Sequence, residues 1–193
     1  MSFTKGTQTE ALAANSAVGS NYNTFTLAQY IGPAVSGSGF LPANFFPLDT
    51  GVGKSIWIKA FGVLSTTGTP TFNIGMSLNT TQGTYNSSGV LATISSAFTT
   101  STGLSFAPWE MEVIATCSAT GASGGILASG LFKVHNSATA PWTYRVSSST
   151  NNPNTALSVS TESAYYVEAF ASFGTSNAAN LVQCYNVVVL GLN

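Results

Sequence analysis

Charge is what this sequence has least of. Five Lys or Arg and six Asp or Glu make charged residues 6% of its 193 positions, against a usual share of about 25%. The cations Lys5, Lys54, Lys59, Lys133 and Arg145 are scattered. Binding phosphate backbones takes clustered Lys and Arg, so nucleic acid is excluded as a partner. Asp49, Glu162 and Glu168 do not fall at the spacing of a calcium loop, and no metal site is indicated. Two cysteines, Cys117 and Cys184, make neither a disulfide framework nor a zinc spacing. The single histidine, His135, stands in "FKVHNSATAPW" with no acidic neighbour and no Gly-x-Ser-x-Gly elbow to support a nucleophilic triad. It reads as polar surface.

Long apolar runs are missing too. None approaches the roughly 20 residues of a membrane span, and the start "MSFTKGTQTEALAANS" lacks the apolar block of a signal peptide. No membrane partner is expected, and the chain is expected to be made in the cytoplasm and kept there until assembly or lysis. Helical periodicity is absent outside a turn at Thr9 to Ala14.

Aromatic residues are plentiful, with 12 Phe, 7 Tyr and 3 Trp. A disordered chain is poor in such residues, so this one folds. Its polarity comes from Ser, Thr, Asn and Gly. With a net charge of -1 there is little repulsion to keep copies apart, which argues for life in an assembly.

From Lys54 onward the apolar positions alternate. In "KSIWIKAFGVLS" Ile56, Ile58, Ala60, Gly62 and Leu64 share one face, and the opposite face (Trp57, Lys59, Phe61, Val63) is apolar enough to be covered as well. "TFNIGMSLN" groups Phe72, Ile74, Met76 and Leu78 against a wet face of Thr71, Asn73, Gly75 and Ser77. In "WEMEVIATC" the residues Trp109, Met111, Val113, Ala115 and Cys117 fall on one face, which makes Cys117 a buried thiol. Further strands are "ILASGLFKV", "AYYVEAFASF" and "LVQCYNVVVL", with weaker ones near Val90 to Phe98 and Ala156 to Ser160. The connections "TTGTP", "ATGASGG" and "GTSNAAN" carry tight-turn residues and predict three long hairpins. The fold class is all-β, an antiparallel β-sandwich of jelly-roll type, over residues 51–193.

Residues 1–50 differ. "GPAVSGSGFLPANFFPLDTG" is dense in Gly, Pro and Phe, and Pro33, Pro42 and Pro47 rule out a long helix. This stretch reads as an extended N-terminal arm with one strand near Tyr22 to Ala28; the other reading is an edge strand and loop of the same domain. As an arm it offers Phe25, Phe40, Phe45 and Phe46 as anchors for a partner.

Catalysis has little to draw on. Glu110 and Glu112 point to one side of their strand, but such neighbours lie about 7 Å apart at roughly 3.4 Å per residue and usually form a solvated face. Trp57, Trp109, Trp142, Tyr144, Tyr165, Tyr166 and Tyr185 supply amphipathic rings for a partner or a sugar. Trp142 and Tyr144, in the irregular "APWTYRV", are the best placed for recognition. No catalytic residue and no cofactor are expected.

The string "KSIWIKAFGVLSTTGTPTFNIGMSLN", "WEMEVIATCSATGASGGILASGLFKV" and "VEAFASFGTSNAANLVQCYNVVVLGLN" resembles small virion proteins of tailed bacteriophages: jelly-roll capsid decoration (cement) proteins and fibre or tail-tip domains. The resemblance spans Lys54 to Asn193 and rests on hairpin style and turn wording. It implies a structural protein on the outer capsid surface or an appendage, with the major capsid protein or other virion proteins as partners. It also implies a homo-oligomer, with a trimer favoured and a dimer as the alternative. A fibre, tail or adhesin domain that reads host glycans through exposed aromatics is the second expectation.

Overall fold

The computed structural model describes residues 10–15, 29–31, 39–47, 53–136, 141–148 and 155–192. They form thirteen strands and one 3₁₀ turn at Ser87–Gly89. The long strands are β4 (Ser55–Ser65), β5 (Thr71–Asn79), β8 (Ala107–Ala119), β9 (Gly124–Val134), β12 (Tyr165–Phe173) and β13 (Leu181–Leu192). Between them lie β6 (Val90–Ile94), β7 (Phe98–Thr99), β10 (Trp142–Ser147) and β11 (Leu157–Val159), and ahead of them β1 (Glu10–Asn15), β2 (Gln29–Tyr30) and β3 (Phe40–Leu41).

All pairings are antiparallel. One layer runs β1-β13-β4-β8-β9-β10 and the other β6-β5-β12-β2, with β11 beside β9, β7 beside β5 and β3 beside β12. The layers are joined at β10, which pairs with β9 along its whole length and with β6 through Val146 and Ser147. The result is an antiparallel β-sandwich of jelly-roll type.

Of the three expected hairpins one forms. β8 and β9 pair from Trp109↔Val134 to Ala119↔Gly125, closed by a turn in which Gly121 has φ +108 and so suits a residue without a side chain. The other two connections are arches between layers. β4 pairs with β13 and β8, while β5 pairs with β12, β6 and β7. The reason is the core: β4 and β5 each carry one apolar row, and facing each other across the interior buries both. A Gly-Thr-Pro turn closes a hairpin and an arch equally well.

The alternation in β4 and β8 holds, with Ile56, Ile58, Ala60 and Leu64 buried against Met111, Val113 and Ala115. The second face of β4 is covered only in part: Val63 is buried, while Lys59 and Phe61 are exposed. In β5 the face expected to be wet is buried from Gly75 to Asn79, where residues 80–89 fold back over it and the Tyr85 ring lies 4.8 Å from that of Phe170. Phe72, Phe98, Phe132 and Phe173 fill one end of the core with ring centroids 5.1–6.5 Å apart. Burial of each such ring contributes about 1.5–3 kcal/mol.

The Thr9 to Ala14 turn is corrected: Glu10–Asn15 is β1, paired with β13 from Glu10↔Gly191 to Asn15↔Val187. An open sheet edge overrides the weak helical preference of a few alanines. The strand near Tyr22 to Ala28 lies outside the described residues. What is described of residues 1–50 is tied to the sandwich: Ile31, Leu41 and Phe46 are core residues, the Ile31 amide donates to Ala169, and Phe40–Leu41 pairs with Tyr165–Tyr166.

Candidate functional site

Two surfaces stand out, and both belong to the β13-β4-β8-β9-β10 layer. Its outer face is a grid set by register. One row across the strands reads Val188, Lys59, Glu112, Leu131, Arg145; the next reads Leu190, Trp57, Ile114, Ser129, Ser147. Ile114 is 49% exposed and Leu131 43%. Around them stand Lys59, Glu110, Glu112, Lys133 and Arg145, five charges in a chain with few. The Trp57 indole N–H donates to Glu112 Oε1 at 2.8 Å, and Lys59 Nζ lies 4.1 Å from the centre of the Trp57 ring. Lys133 Nζ donates to Glu110 Oε1 at 2.8 Å. That hydrogen bond and the attraction of the carboxylate raise the pKa of Lys133.

The second surface is a groove at the end of the layer where β8 begins and β9 ends. A bulge, a close approach of two strands and a left-handed residue lie at or beside it. A bulge in β13 between Cys184 and Asn186 leaves Tyr185 outside the ladder, and bulges re-aim side chains at functional rims. Opposite it Gly62 has no room for a side chain, because a Cβ would sit 1.8 Å from the Gln183 carbonyl oxygen and 2.8 Å from the Trp109 ring. Nearby, Phe106 is 60% exposed and holds φ +48, a conformation that costs energy for a bulky residue and that clusters at functional sites. The groove measures about 510 Å³, with Phe61, Tyr185, Pro108 and Pro141 as walls and Glu110, Lys133 and His135 as polar groups. Trp109 also borders it, its ring buried and its indole N–H held by the Val63 carbonyl at 3.2 Å.

No known family profile matches this chain, and neither does any curated protein sequence. Among solved structures, a peanut lectin in complex with a nine-residue peptide is similar with a TM-score of 0.42 at 9% identity, over 98% of this chain and 99% of the lectin. A winged bean acidic lectin complexed with methyl-α-D-galactose gives a TM-score of 0.41 at 11% identity, over 100% of this chain and 95% of the lectin.

The aromatic anchors read from the sequence fall in different places. Phe25 lies outside the described residues. Phe40 is 39% exposed, with its ring 5.3 Å from that of Tyr166. Phe45 is half-buried under Lys54 Nζ, 5.3 Å from the ring centre. Phe46 is core and has no surface to offer. Trp142 and Tyr144 come together, 6.4 Å apart, on the inward side of β10. Tyr144 stacks on Phe98 at 4.6 Å and 19°, and burial raises its pKa. Trp142 stays exposed at the rim.

Sequence reasoning missed Ile114 and Leu131, which break the alternation as outward apolar residues, a signal that was present. Tyr185 was among the rings the sequence offered, but the bulge beside it leaves no mark there. His135 does border the groove. Among the described residues no three His, Cys, Asp or Glu side chains gather as a metal-binding group.

Proposed function

We propose that this chain is a structural virion protein of a tailed phage, a capsid decoration or cement protein that docks on the outer surface of the shell and reinforces it. The observation that carries this reading is the outer face of the five-stranded layer. Ile114 and Leu131 stand exposed at its centre, and five of the chain's eleven charged residues surround them. An apolar centre within a polar, mixed-charge rim is the anatomy of a protein interface. The face is also rigid, because every strand in it is paired on both sides except β10, which is paired on one side from Trp142 to Arg145.

The partner is the major capsid protein, and the decoration unit is a homo-oligomer, a trimer in the first instance. The reading includes no catalysis. Glu110 and Glu112, the one carboxylate pair, are each held by another side chain, Lys133 and Trp57, which suits a contact face more than acid and base roles.

The test is cosedimentation of the purified chain with undecorated shells, together with its copy number per shell subunit in intact particles. Ile114→Glu with Leu131→Glu is expected to abolish binding while leaving the circular dichroism melt unchanged. Full binding by the folded double variant, or only a few copies per particle, overturns the reading.

A further inference from the structure

The groove at the end of the layer has a chemistry of its own: it shares Glu110 and Lys133 with the rim of the docking face, but neither Ile114 nor Leu131 lines it. Its walls are the rings of Phe61 and Tyr185 with Pro141 beside them, and its polar groups are Glu110, Lys133 and His135. Glu110 and Lys133 cancel in charge, so nothing in the groove favours a phosphate or a polycation. They nevertheless set a strong acceptor and a strong donor side by side, 2.8 Å apart.

A ligand that satisfies all of this has an apolar face for an aromatic ring, neighbouring hydroxyls that can both donate and accept, and no net charge. A sugar ring has these properties: its C–H face packs on aromatic rings, and adjacent hydroxyls meet a carboxylate and an ammonium together. A purely apolar ligand would leave the ion pair desolvated and unanswered. The size of about 510 Å³ falls within the usual 300–1,000 Å³ or so of small-molecule sites.

We infer that this groove is a binding site for a neutral saccharide, with a sugar ring seated against Phe61 and Tyr185 and its hydroxyls on Glu110, Lys133 and His135. The local geometry is built for it. The β13 bulge turns Tyr185 out of the ladder, and Gly62 allows β13 to come close to β4 at that point.

The test uses the intact chain on an array of immobilised neutral oligosaccharides, followed by amide NMR titration with the best binder. Selective binding is expected, with shifts at Phe61, Tyr185 and His135. Phe61→Ala and Tyr185→Ala should each weaken it roughly tenfold, while Ile114→Ser leaves it unchanged. An array with no binder overturns the inference. So does a titration whose shifts lie away from the groove, a result read on the native chain even if a variant fails to fold. None of these outcomes bears on shell binding, which is read by cosedimentation.

Discussion

The Asn79 side-chain amide donates to the Glu168 carboxylate across 2.6 Å on the buried outer side of the β5–β12 pair. The other carboxylate oxygen accepts the Gly83 amide, also at 2.6 Å, so one acid pins the start of the segment that covers Gly75 to Asn79. Asn79 spreads its N–H groups over Ser77, Thr84 and Glu168, while its own oxygen has no partner.

Burial raises the pKa of Glu168, and the hydrogen bonds from Gly83, Asn79 and Thr84 oppose that only in part. The folded chain therefore holds this proton more tightly than the unfolded chain. The contribution to stability is greatest below the ordinary carboxylate pKa, near about 4.3. It declines as pH rises through the higher folded value and then levels off. Urea midpoints across the acid-to-neutral range should show this decline in the native chain relative to Glu168→Gln, which cannot titrate. Parallel curves would remove Glu168 as the cause. Glu168→Ala takes an acceptor from the buried Asn79 amide and from the Gly83 N–H and should cost about 1–3 kcal/mol.

Gly62→Ala tests the close approach of β4 and β13. The added methyl would meet a backbone carbonyl that cannot swing aside. A loss of about 1–3 kcal/mol, toward the upper end, is expected from chemical denaturation. Gly68→Ala is not a matched control, because Gly68 has φ +71 in open space and is strained for another reason.

Removing residues 1–39 should lower the melting temperature well below that of the full chain. The cut takes away β1, β2 and Ile31, which is 0% exposed. Losing a buried Ile side chain costs about 2–5 kcal/mol by itself. A truncated chain that melts like the intact one would mean that these residues contribute nothing to the core.

Both thiols should resist alkylation until the chain unfolds. Burial pushes the Cys184 thiol up to about 12 and raises that of Cys117 as well, so little of the reactive thiolate is present near neutral pH. Mass spectrometry after iodoacetamide should find unmodified protein in buffer and two adducts in urea. An adduct in buffer would show that a cysteine is accessible in the native state.

How much of this was legible in the sequence depends on the period of the signal. The two-residue alternation in Ser55–Ser65 and Ala107–Ala119 named the buried sides of β4 and β8 correctly, because burial on one face is a local property of a strand. Pairing was not legible. The turns at Thr66–Pro70 and Gly174–Asn180 look like hairpins, and only the placement of two apolar rows on opposite sides of one core makes them arches. The groove was less legible still. Its walls come from Phe61, Tyr185 and Pro141, residues distant in the chain, and the Tyr185 bulge is set by the partner strand. Ile31, Leu41 and Phe46 were hidden by the Gly and Pro around them, which suggest a free arm although the apolar residues between fit the core.

The β1–β13 pairing joins Glu10 to Gly191, nearly the full distance along the chain. During synthesis β1 leaves the ribosome early and then has to wait, its pairing edge without a partner until β13 emerges. Closure of this edge therefore has to follow the synthesis of β13. The high sequence separation also makes folding slow compared with a helical protein of the same size. A cell that makes this protein in quantity carries a pool of chains with open edges, and newly made copies can pair edge to edge in that interval.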